Sequence, residues 1–171
     1  MHKASIKTSL PTTGLPFSWG VTLDHLIFLA GQGPLGPDGK VIEGDIRVQT
    51  QETLENFRRV VEAAGSSLEH VLSTTVYLKN LNDFRGMNEV YSEYFMADPR
   101  PARATVQADL LFGMKVEIQG IAYIPEAKGF KPEEPSGTTM AKKKKSKKAA
   151  TKKAAKKKAY YSGRKERRAK K

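Results

Sequence analysis

Two charged residues stand where chemistry, and not only scaffold, would use them. Arg103, in Pro101-Ala102-Arg103-Ala104-Thr105-Val106, opens one apolar run, and Glu117, in Lys115-Val116-Glu117-Ile118-Gln119-Gly120-Ile121-Ala122, lies inside the next. A planar guanidinium holds a carboxylate by two parallel hydrogen bonds, so this pair suits a small anionic substrate. A plainer reading stands beside it: a strand arginine facing a strand carboxylate is often only a surface ion pair, worth about 0 to 1 kcal/mol. Glu117 alternates with Val116 and Ile118, as on a solvated strand face. The face it shares, however, carries Gln119, Ile121 and Tyr123, a mixed set suited to a cleft or a subunit contact.

Other constellations are weaker. His2, His25 and His70 are isolated, no two of them four apart, and the chain has no cysteine, so no metal site is expected. No nucleophile elbow accompanies a serine. Chemistry in this chain therefore rests on water, with no cofactor. Gly31-Gln32-Gly33-Pro34-Leu35-Gly36 satisfies G-x-G-x-x-G, but a dinucleotide site needs a helix to begin within that pattern. Pro37-Asp38-Gly39 follows instead, which predicts a tight turn near the substrate.

The elements that must position these residues follow from periodicity. The apolar run Val21 to Ala30, ending in turn residues, predicts a strand paired with an earlier one around Phe17 to Val21. Ile46, Leu54, Phe57, Val61 and Ala64 share a helical face with Gly65 placed as a C-terminal cap, so a helix is expected from Asp45 to Ala64. His70 to Lys79 alternates as a β-branched strand, with Leu72, Thr74, Val76 and Leu78 on one side. Asn82 offers an N-cap to a second helix whose face is Phe84, Met87, Val90, Tyr91 and Tyr94, and Asp98-Pro99-Arg100-Pro101 ends it. Strands over Arg103 to Asp109 and Lys115 to Ile124 complete a ββαβαββ order. The expected fold is α+β: one mainly antiparallel sheet, antiparallel pairs at both ends, and two helices packed on one face.

Charge divides the chain. Residues 1–126 hold 11 Lys+Arg against 15 Asp+Glu, a net of −4, while residues 127–171 hold 19 against 3, a net of +16. The first part is of single-domain size. Beyond it, Pro132 and Pro135 mark a linker over 127–141, and 142–171 is a Lys/Ala-rich tail with nothing large enough to build a core, expected to be disordered when free. Lys142, Lys143, Lys144, Lys145, Lys147, Lys148, Lys152, Lys153, Lys156, Lys157 and Lys158 would neutralise DNA or RNA phosphates without sequence preference, though such a block can also be merely solubilising. No apolar run is long enough for a signal peptide or a membrane span, so a cytoplasmic location is expected, with nucleoid or nuclear association through the tail.

Pro101-Ala102-Arg103 with Glu117, preceded by Ala30-Gly31-Gln32-Gly33-Pro34 and Leu81-Asn82-Asp83-Phe84, resembles the RidA/YjgF family of reactive-intermediate (enamine/imine) deaminases, over roughly residues 14–125. The resemblance implies a chorismate-mutase-like domain assembling as a homotrimer, with sites at subunit interfaces. It implies hydrolysis of reactive 2-imino acids, the tautomers of enamines, to 2-keto acids and ammonia without a cofactor. It assigns the substrate carboxylate to Arg103, the attacking water to Glu117, backbone contacts to Gly31, and the pocket to Phe17, Ala30, Asn88 and Thr105. The family commonly has tyrosine at Phe17, serine at Ala30 and cysteine at Thr105, so this chain offers its substrate fewer donors. Two rival readings are a noncatalytic ligand-binding or nucleic-acid-associated protein, and an RNA-cleaving or translation-inhibiting one, although no paired histidines support ribonuclease chemistry.

Overall fold

A six-stranded sheet carries both helices on one face. The computed structural model describes residues 2–11 and 14–125. The linker over 127–141 and the tail over 142–171, with the lysines named above, lie outside the described residues. In chain order the elements are β1 (Lys3–Ser5), β2 (Gly20–Leu23), β3 (Leu26–Gln32), α1 (Ile46–Ala63), β4 (Val71–Leu78), α2 (Phe84–Tyr94), β5 (Ala102–Gln107) and β6 (Val116–Tyr123). The strand order is β1-β2-β3-β6-β4-β5; β4 and β5 run parallel and every other neighbouring pair is antiparallel.

The expected single sheet with two helices on one side is what forms, but its pairing differs at the C-terminal end. β5 and β6 are consecutive, yet they do not touch: β6 inserts between β3 and β4, and β5 joins the outer edge of β4. Strand β3, helix α1 and β4 thus make a split crossover, and β4, α2 and β5 a direct one. Both crossovers advance in the same direction across the sheet, and right-handed connections then put both helices on the same face.

Local chemistry sets the helix ends. The Asp45 carboxylate caps α1 by accepting from the backbone N–H groups of Arg47 and Val48 at 2.9 and 3.1 Å. At the other end Gly65 takes φ +81°, with Gly65 N–H donating to Glu62 O and Ser66 N–H to Val61 O, a Schellman closure. Asn82 does not cap α2. Its backbone N–H donates to Asn80 Oδ1 within a short 3-10 turn, and Asp83 precedes the helix without a side-chain cap.

Two strand expectations also shift. The run Val21 to Ala30 is not one strand: Asp24, at φ +52°, turns the chain between β2 and β3, which pair with each other. Leu72 is exposed while Val71, Thr74, Val76 and Leu78 are buried, because the register against β6 slips between Val71 and Ser73 and leaves Leu72 as the extra residue. β1, three residues long, is an edge strand with no apolar alternation to announce it.

The core lies between sheet and helices, with Ile27, Leu54, Phe57, Val60, Val76, Met87, Val116 and Ile118 fully buried. Gly120 is part of this packing. A Cβ there would sit 2.8 Å from Phe57 Cζ and 2.7 Å from Ser73 O, so only glycine lets the Phe57 ring reach the sheet.

Candidate functional site

Alternation along β6 sends Val116, Ile118 and Ala122 into the core and Glu117 to the opposite, helix-free face. Glu117 pairs across the sheet with Tyr77 of β4, while Arg103 on β5 pairs with Thr74, which is buried under the helices. Within one chain, therefore, Arg103 and Glu117 project from opposite faces of the sheet.

The other expected site residues divide along the same line. Phe17, Ala30, Gly31 and Glu117 line one pocket of about 260 Å³, together with Leu15, Trp19, Leu111, Phe112 and Met114. Gly31 allows this closeness, since a Cβ there would run into the Glu117 carboxylate. Burial raises the pKa of Glu117 above its usual 4.5, and among the described residues no donor or cation holds its carboxyl. A half-buried carboxyl without a partner can orient or deprotonate a water.

On the helix side, the Arg103 guanidinium sits 4.6 Å from the centre of the Tyr91 ring and 5.9 Å from that of Phe84. No carboxylate pairs with it among the described residues, so the plain ion-pair reading does not hold within the chain. Thr105, two residues along β5, projects from the same side of the strand, and half-buried Asn88 lies on α2 between Phe84 and Tyr91. The Tyr91 hydroxyl shares a 2.7 Å hydrogen bond with Thr74 Oγ1 in the core, which fixes the ring beneath the guanidinium. Cation–π contact holds an arginine in place while leaving all its N–H donors free for an anion.

Helix α1 supports the Glu117 half through polar side chains on its buried face. Asn56 Nδ2 donates to Gly33 O and Leu35 O, both at 2.9 Å, pinning the turn after Gly31. Gln49 Nε2 donates to Ile42 O at 2.9 Å, and its Oε1 accepts from Lys115 N–H at 2.8 Å, two residues before Glu117. Neither residue is marked in the sequence by a motif; the available signal is a polar side chain in the apolar stripe of an amphipathic helix. No helix begins at Gly31 to Gly36, which removes the dinucleotide reading, and that segment leads into the Leu35–Val41 bridge. Among the described residues no group of three metal-ligating side chains converges, and no helix is long and apolar enough to cross a membrane.

The family model described as Endoribonuclease L-PSP matches residues 8–124, which include both halves of the site. The chain belongs to the RidA/YjgF family. A RutC family protein of Pyrococcus abyssi is 46% identical over 110 residues, covering 63% of this chain and 86% of the relative. The mitochondrial protein mmf2 of Schizosaccharomyces pombe is 40% identical over 126 residues, covering 71% of this chain and 98% of its own. Among solved structures, E. coli TdcF with bound serine superposes with a TM-score of 0.65 at 35% identity, covering 70% of this chain and 98% of TdcF. The RidA/YjgF fold neighbours share the sheet and helix arrangement described above. One relative being mitochondrial, membership alone does not set a compartment.

Proposed function

We propose that this RidA/YjgF protein hydrolyses reactive 2-imino acids to 2-keto acids and ammonia at sites formed between copies of the chain. The observation that carries the reading is the division of the site. An arginine braced on Tyr91 and free to bind a carboxylate lies on one face of the sheet, and an unpartnered carboxyl beside Gly31 lies on the other. One chain cannot bring them to a single small substrate, whereas a homotrimer, which the family resemblance implies, would do so with one copy's edge strand β5 set against the open face of the next.

In that arrangement Arg103 holds the carboxylate of the imino acid. Glu117 of the neighbouring copy takes a proton from water as the oxygen attacks the imine carbon, giving a tetrahedral carbinolamine. That proton is returned to the imine nitrogen; a second, from the carbinolamine hydroxyl, follows through Glu117 to the same nitrogen as the carbon–oxygen double bond forms and the carbon–nitrogen bond breaks, so that ammonia leaves behind the 2-keto acid. The bound serine of TdcF, a small amino acid, fits a fold that accepts a carboxylate next to nitrogen on one carbon.

The test is imine hydrolysis by the full chain and by Arg103→Ala. Charge-assisted hydrogen bonds contribute about 1.5 to 3 kcal/mol, so kcat/KM should fall about 10- to 150-fold in the variant. Equal kinetics would overturn the assignment.

The same reading gives the lysines of 142–171 a separate role, salt-sensitive binding of DNA or RNA, supported by a net of +16 over residues 127–171 against −4 before them. Six engaged phosphates predict a slope of log affinity against log salt of about −5. Deleting residues 128–171 should abolish that binding and spare imine hydrolysis; retained binding would place the basic surface on the domain instead. Cytoplasmic residence belongs to this proposal as well.

A further inference from the structure

The pocket beside Glu117 has the chemistry to choose among imino acids. Once the carboxylate is held by Arg103 and the water by Glu117, the substrate side chain has the remaining space, whose walls are Leu15, Phe17, Trp19, Leu111, Phe112 and Met114. Among the described residues, Glu117 is the only charged one lining it. The Trp19 indole N–H is already donated to Pro11 O at 3.1 Å, and the Phe17 ring stands edge-on to Trp19 at 5.1 Å with no hydroxyl to offer. A hydroxylated or charged substrate side chain would thus lose water without gaining a side-chain donor.

The rim is unusual. Phe112 adopts φ +55° and is followed by Gly113 at φ +77°. A bulky residue in the left-handed region is strained, and such strain persists only where the surroundings hold it and often marks a ligand clamp. The strain is used to stand Leu111 and Phe112 at the pocket mouth, 67% and 73% exposed. Two adjoining exposed apolar side chains form a contiguous apolar patch, and such patches mark contact surfaces more often than single exposed residues do.

We propose that the Leu111–Phe112 rim and the Phe17–Trp19 wall make this site selective for imino acids with large apolar side chains, of the leucine, methionine or phenylalanine type, over those of the alanine or serine type. The inference rests on the imine-hydrolysis reading of the same site. A difference of one methylene in an apolar pocket shifts kcat/KM about tenfold or more, so the leucine-derived imine should exceed the alanine-derived one by at least about that factor.

The experiment generates each imine in situ with an amino-acid oxidase and measures kcat/KM on the full chain and on Phe112→Asn, asparagine being a residue that tolerates positive φ. Binding of 4-methyl-2-oxopentanoate and of pyruvate, measured by calorimetry on both proteins, reads the same preference without turnover. The expected result is a leucine-over-alanine ratio of at least about tenfold, falling severalfold in Phe112→Asn while the melting temperature holds. Hydrolysis of both imines with a ratio near one, or a ratio unmoved by Phe112→Asn, overturns the selectivity and leaves the deaminase reading standing. Hydrolysis of neither imine overturns the deaminase reading and the selectivity with it.

Discussion

On the helix-covered face of the sheet, Ile27, Leu29, Val76, Val116, Ile118 and Ala122 are packed away beneath α1 and α2, whereas the opposite face leaves Phe28 and Val106 exposed and Glu117 without a partner among the described residues. The helix side holds its cation in place, with Arg103 stacked on a tyrosine that is itself bonded into the core. The open side holds its anion in readiness, with Glu117 raised in pKa by burial and given room by Gly31. Each face carries one of the two proposed site residues. On the proposed reading the functional unit is larger than the chain, because the two charges are separated by the sheet that carries them both.

Breaking the open face should have the largest effect. Glu117→Gln keeps the shape and removes the base, so kcat should fall about 10²- to 10⁴-fold, read in steady-state imine hydrolysis. Gly31→Ala is expected to act through the same carboxylate. Its Cβ meets only the end of a flexible side chain, so folding should survive while Glu117 is displaced and the rate drops, which a melting curve beside the rate assay separates.

The helix side predicts a different signature. Tyr91→Leu removes the ring beneath Arg103, a contact worth about 0.5 to 2 kcal/mol, and should raise KM about 2- to 30-fold with kcat little changed, since carboxylate binding serves ground and transition states alike. Tyr91→Phe keeps the ring and should move KM far less. A fall in kcat alone would mean that Tyr91 does something other than brace the arginine.

The smallest effect is on stability. Glu117 binds its proton more tightly in the folded chain than in the unfolded one, so its contribution to stability is complete below pH 4.5 and is lost as pH rises through its raised value. Glu117→Gln should therefore melt higher than the parent at neutral pH, with the difference closing as pH falls through the ordinary carboxylate range. An advantage that persists at low pH would assign it to packing.

How much of this was legible in the sequence depends on how local the cause is. The bounds of α1 are written in Asp45 and Gly65, which act within one turn, and the residue types for chemistry stand out at Arg103 and Glu117. The separation of β5 from β6 is not written locally: neighbouring strands usually pair, and only the path of α2 takes β5 to the far side of β4. Alternation tells which residues of one strand share a face, but the face on which Glu117 stands relative to Arg103 needs the register of three strands. Tyr91 reads only as part of an apolar helix face, because its second role depends on a strand eleven residues further on. Leu111 and Phe112 read as a connection, although three large apolar residues before Gly113, between Asp109 and Lys115, were the available sign of a rim.

The shared site is tested most directly by complementation. Arg103→Ala and Glu117→Gln chains, each nearly inactive alone, are unfolded together in equal amounts, refolded, and assayed for imine hydrolysis. In a closed cyclic assembly each site draws Arg103 from one copy and Glu117 from its neighbour, so random mixing restores both native residues in about a quarter of the sites. Recovery to about that fraction of the parent activity is expected. A mixture no more active than the sum of its two inactive components would contradict it, and would mean that Arg103 and Glu117 do not meet in one site.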